Sequence, residues 1–113
     1  MSELSDDYTP SEVAELAAAG GVQLVDVRMH HEFEAGRIAG SRLIQLPELA
    51  EQAHLISREA PVILICRSGG RSQMATAALR AAGYDAHNME GGMLAWAAAG
   101  LELEPSDGFI AEP

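Results

Sequence analysis

Apolar positions along this 113-residue chain switch repeatedly between helical and alternating spacing, and the switches mark out its elements. Thr9-Pro10-Ser11-Glu12 has the form of a helix start, with an N-cap oxygen, a proline in the first turn and a capping-box carboxylate. Val13, Leu16 and Ala17 follow at helical spacing, and Gly20-Gly21 ends the run. Residues 22–27 are β-branched and predict a strand, and residues 30–35 predict a short helix closed by Gly36. Residues 42–46 predict a short strand, after which Pro47 opens a helix to about Arg58. Residues 61–65 are the most apolar stretch and suit a central strand buried on both faces. A helix over 72–80 ending at Gly83, a strand over 84–89 and a helix over 93–99 complete the series. This alternation predicts an α/β fold with a mostly parallel central sheet and helices on both faces. One domain is expected over 1–113, with its core at about 5–103 and an irregular acidic tail over 104–113.

Composition agrees with a folded chain, at 48% apolar and 21% charged residues. The net charge of −10 is unevenly spread. Residues before Arg28 and residues after Arg80 each contribute −6 with no base, while the middle segment carries all seven arginines and sums to +2. Such an acidic surface argues against binding nucleic acid or anionic membranes. A single cysteine forms no internal disulfide, the acidic start lacks an apolar signal segment, and no apolar run reaches membrane-spanning length. A cytoplasmic location is the corresponding expectation.

That cysteine stands where the apolar run 62–65 stops, in Cys66-Arg67-Ser68-Gly69-Gly70-Arg71-Ser72. A lone cysteine ending a buried strand is usually a small hydrophobe. Two glycines and two arginines beside it point instead to a reactive thiolate at a strand–loop–helix junction. Gly69 and Gly70 let successive N–H groups converge into an anion-binding nest, and Arg67 and Arg71 add charge-assisted donors. Ser72 reads as a helix N-cap. Asp26, at the end of a neighbouring strand, is expected to accept loop N–H bonds or to pair with an arginine, with Arg28 beside it. No metal site is expected: His30 and His31 point about 100° apart on a helix, and His54 and His87 stand alone. Gly91-Gly92 is too short for a dinucleotide loop and reads as a turn near the cysteine. Four residues separate Cys66 from Arg71. Cysteine phosphatases space these groups one residue further apart, so the shorter cradle favours a single sulfur over a phosphoryl group.

Four blocks in order resemble the single-domain rhodaneses, the thiosulfate sulfurtransferase-like family, across nearly the whole span from Ser5 to about Leu103. They are Asp26-Val27-Arg28 with Glu32-Phe33; Gly36-Arg37-Ile38-Ala39-Gly40-Ser41; the cysteine loop; and Glu90-Gly91-Gly92-Met93 with Trp96. Arg37, Ser41-Arg42 and two extra residues before Pro47 depart from the family's usual pattern. The resemblance implies a rhodanese-like three-layer fold and a Cys66 nucleophile. Cys66 would take a sulfane sulfur from thiosulfate or a related donor, hold it as a persulfide and pass it to cyanide, a small thiol or a protein cysteine. It implies that residues 67–72 bind substrate, that Asp26 and Arg28 support the loop, and that no cofactor is needed. Two rival readings use the same residues: a cysteine phosphatase or arsenate reductase, and a non-catalytic binding module.

Overall fold

The structure, a computed structural model, describes residues 7–113. The acidic start and the expected beginning of the core near residue 5 lie outside the described residues. Five strands form one sheet: β1 (Asp7–Tyr8), β2 (Gln23–Asp26), β3 (Arg42–Leu43), β4 (Val62–Ile65) and β5 (Ala86–Met89). Their order is β1-β5-β4-β2-β3, and every pair is parallel. The α-helices are α1 (Pro10–Ala19), α2 (His30–Ala35), α3 (Leu49–Gln52), α4 (Gly70–Ala81) and α5 (Gly92–Ala98). The expected α/β architecture is therefore the observed one.

β4 is buried at all four positions, as its unbroken apolar run requires. Its side chains divide by parity between two cores. Val62, Leu64 and Cys66 join Leu49, Ala75 and Leu79 from α3 and α4 on one face. Ile63 and Ile65 join Val13, Met93 and Trp96 from α1 and α5 on the other. The chain turns one way across the sheet after β2 and the other way after β4. The carboxyl ends of these two strands, where Asp26 pairs in register with Ile65, thus flank a topological switch point.

Several elements differ from expectation. The helix after Pro47 is not continuous: 3₁₀ turns at Leu46–Glu48 and Ala53–Leu55 bracket the four residues of α3. Ile56 must leave the helix to enter the core, the Tyr84 hydroxyl donates to the Ala53 carbonyl, and the Gln23 side chain bonds the backbone of Ser57 and Ala60. β3 stops at Leu43, although the Ile44 and Leu46 amides still donate to Asp26 and Val27. β1 was not expected, because two residues are too few to show alternation. The segment 104–113 holds no helix or strand and makes one antiparallel bridge, between Glu104 and Arg37.

Candidate active site

Cys66 follows β4 directly and is 1% exposed. The chain then folds back on itself, so that the Gly69 amide donates to Sγ at 3.0 Å and the Ser72 hydroxyl lies 3.3 Å from it. Gly69 carries φ +109°, a left-handed conformation that costs a residue with a Cβ about 1–2 kcal/mol. That turn is what brings its N–H onto the sulfur. Gly69 is also the N-cap of α4, which begins at Gly70. Ser72 is therefore not the cap. It sits within the first turn of α4, where its hydroxyl reaches Sγ, the Gly69 carbonyl and Asn88 Oδ1 of β5. With one proton to give and three acceptors in reach, Ser72 can turn its donor to the sulfur when negative charge appears there.

The loop's carbonyls are tied away from the sulfur. Met93 and Leu94, at the start of α5, donate their amides to Cys66 O (2.8 Å) and Arg67 O (3.0 Å). This approach needs glycine at 92, where φ is +61° and a Cβ would stand 2.5 Å from Cys66 O and 2.6 Å from Arg67 O. The expected turn at Gly91-Gly92 is thus the clamp that holds the loop. With carbonyls drawn out, the unpaired first amides of α4 and its positive dipole end remain on the loop side.

Both loop arginines have partners inside the chain. Arg71 makes a two-pronged ion pair with Glu32 of α2, Nη1 to Oε2 and Nη2 to Oε1, each at 2.8 Å. The Glu32 side chain is wholly buried, while that of Arg71 is 28% exposed. Burial would raise the Glu32 carboxyl, but the Arg71 hydrogen bonds, the Met29 amide and the charges of Arg71 and Arg28 outweigh it and hold it below the ordinary carboxylate range. Arg71 is shifted up, first by its bond to Glu32, with burial opposing and with attraction to Glu32, Cys66 and Asp26 adding to the rise. Arg67 instead donates through Nε to the Ala111 carbonyl (3.0 Å), and its Nη2 lies 3.4 Å from Glu112 Oε2.

Asp26 accepts no loop amide. It pairs with Arg28, Nη2 to Oδ2 at 2.8 Å, and both side chains are fully buried. Arg28 also donates to the Gly36 carbonyl (2.8 Å), tying β2 to the end of α2. The pair holds α2, and through Glu32 it holds Arg71. Ser68 and Gly70 lie exposed on the outer turn of the loop. The sequence pattern marks the loop and includes Glu32 in its first block without a role for it, and Asn88 is not marked at all. The available signal was polarity in the wrong place, an asparagine within the fully buried strand Ala86–Met89. Among the described residues no group of histidine, cysteine and carboxylate side chains could hold a metal ion. No helix among them is long and apolar enough to cross a membrane.

A profile of the family described as Rhodanese-like domain matches residues 9–99. The chain belongs to that family. This rhodanese-like chain is 36% identical over 102 residues to the HTH-type transcriptional regulator Rv0324 of Mycobacterium tuberculosis, which covers 88% of this chain and 45% of the regulator. It is 32% identical over 97 residues to the thiosulfate sulfurtransferase GlpE of Pseudomonas aeruginosa, covering 85% of this chain and 87% of that enzyme. The rhodanese-like chain thus spans about half the length of the first relative and most of the second. Among solved structures, a rhodanese-related protein from Thermoplasma volcanium superimposes with a TM-score of 0.81 at 28% identity, covering 86% of this chain and 95% of that one. The fold and the family are those the sequence blocks resemble.

Proposed function

We propose that this protein is a sulfurtransferase in which Cys66 carries the sulfur as a persulfide. The observation that carries the reading is the Gly69 amide directed at Sγ with the Ser72 hydroxyl within reach of it, in a loop whose Cys66 and Arg67 carbonyls α5 draws away. Donors aimed at one sulfur stabilise negative charge first on the thiolate and then on the persulfide. The likeness to GlpE, named a thiosulfate sulfurtransferase, supports the same reading. The thiolate attacks the outer sulfur of thiosulfate, the S–S bond of the donor breaks, and sulfite leaves with the bonding pair. The Cys66 persulfide then gives its terminal sulfur to a nucleophile, which is cyanide, a small thiol or a protein cysteine, and the Cys66 thiolate is restored. Cys66 is the only cysteine in these 113 residues, so no other thiol among them can take the sulfur. Arg71, held by Glu32, supplies positive charge beside the loop, and Arg67 at its rim meets the anionic donor.

Intact-mass measurement tests this. Thiosulfate is expected to add one sulfur atom, cyanide to remove it as thiocyanate, and Cys66→Ser to abolish the gain. Absence of any gain with thiosulfate and with organic persulfide donors would refute the assignment. Hydrolysis of an aryl phosphate without sulfur uptake would replace it with phosphatase chemistry.

A further inference from the structure

The segment 104–113 is irregular yet tied down along its length. Arg37 and Glu104 exchange two backbone hydrogen bonds of 3.0 and 2.8 Å, and the Phe109 amide donates to the Ala35 carbonyl at 3.0 Å. Ile110 packs on the core that holds Met93 and Trp96. The fit is close, because a Cβ on Gly36 would stand 2.7 Å from Phe109 O and one on Gly108 would stand 2.8 Å from Ala35 O. Beyond Ile110 the chain crosses from α2 to the cysteine loop. His31 Nε2 is 2.9 Å from the Glu112 carbonyl oxygen, while Arg67 donates to the Ala111 carbonyl and faces the Glu112 carboxylate. α2 is also the helix whose Glu32 holds Arg71, so the segment bridges Arg67 and the helix that holds Arg71. The segment lies beyond the residues 9–99 that match the family profile.

We propose that residues 104–113 form a strap whose Glu112 carboxylate competes with anionic reagents for Arg67, so that the chain itself sets the charge preference at Cys66. This rests on the reading of Arg67 as the group that meets an anionic donor. The Glu112 side chain is 88% exposed and its contact with Arg67 is 3.4 Å, so the pair is weak and an incoming anion can displace it. While in place it lowers apparent affinity for an anion by the fraction of Arg67 it occupies. A neutral reagent does not meet this competition.

Alkylation of Cys66 by iodoacetate and by iodoacetamide tests the strap, since the two share a reacting carbon and a leaving group and differ in charge. Rates are measured by intact mass for the full chain, for Glu112→Gln and for a chain ending at Ile110, which keeps that residue's packing. The iodoacetate-to-iodoacetamide rate ratio is expected to rise about two- to fivefold in both variants, the size of an exposed ion pair. The rise should disappear near 1 M salt, where the screening length is about 3 Å. An unchanged ratio in both variants at low salt overturns the proposal. Alkylation needs no sulfur donor, so this result is independent of whether thiosulfate loads Cys66.

Discussion

The ion pair between Glu32 and Arg71 should behave asymmetrically when either partner is removed. In Arg71→Ala the Glu32 carboxylate loses both guanidinium bonds and retains the Met29 amide as donor. Stripping the partner from a buried charge costs about 3–5 kcal/mol, and the partial exposure of Arg71 places the expectation near 3. At about 4 °C per kcal/mol for a domain of this size, the melting temperature should fall by roughly 12 °C at neutral pH. Glu32→Gln leaves Arg71 a route to water and keeps the side-chain volume, so its cost should be about 1–2 kcal/mol. The pH dependence separates the two further. In the parent chain Glu32 lies below its ordinary value, so its contribution is complete above the carboxylate range and is lost as pH falls through the depressed value. Without Arg71 the Met29 amide and the Arg28 charge still oppose burial, so the depression weakens and less of the contribution is lost as pH falls. The deficit of Glu32→Gln should therefore narrow more than that of Arg71→Ala as pH falls through the carboxylate range. Urea midpoints followed through Trp96, the chain's one tryptophan, report both. Equal costs with parallel pH profiles would refute the reasoning.

Two further substitutions test the frame around the sulfur. Gly92→Ala combines left-handed strain of about 1–2 kcal/mol with the loss of two hydrogen bonds worth about 1 kcal/mol each. A melting point lowered by roughly 10 °C or more and faster iodoacetamide labelling of Cys66 are expected, and a shift under about 2 °C would contradict the clamp. Asp26→Asn leaves the buried Arg28 guanidinium without its countercharge, so denaturant unfolding should show a loss of about 3–5 kcal/mol. A loss below about 1 kcal/mol would mean that the pair only holds geometry.

Elements with a strong local signal were legible from the residues alone. The capping box of α1 forms as written, with Thr9 and Glu12 exchanging hydrogen bonds of 2.9 and 3.2 Å. The apolar run of β4 is buried on both faces, and Cys66 stands at its end. Failures fall where tertiary contacts override local pattern. Pro47 and the residues after it suit a helix, but Ile56 gains more by entering the core than by extending a surface turn. Ser72 has the side chain of an N-cap, yet Gly69 reaches the left-handed conformation that starts α4 three residues earlier. The cause lies across the fold for Ile56, and three residues away, in a glycine, for Ser72.

The partners of the loop arginines illustrate the same limit and bear on how the site binds. Glu32 lies 39 residues before Arg71, and Glu112 lies 45 after Arg67, so no local window joins them. Counting charge along the chain gives the middle segment a surplus of +2 and suggests two guanidinium groups open to substrate. The fold brings carboxylates to both from other elements. Arg71 is committed to a buried acid, whereas Arg67 meets an exposed carboxylate. On the proposed reading, recognition of an anionic donor depends less on the number of arginines than on which carboxylate can be displaced. By this reasoning Arg67→Ala should raise the KM for thiosulfate with little change in kcat, while Arg71→Ala should lower kcat as well, because the field at the sulfur acts in the transition state. Steady-state kinetics separates these outcomes, and a pure KM effect from Arg71→Ala would assign that residue to binding instead.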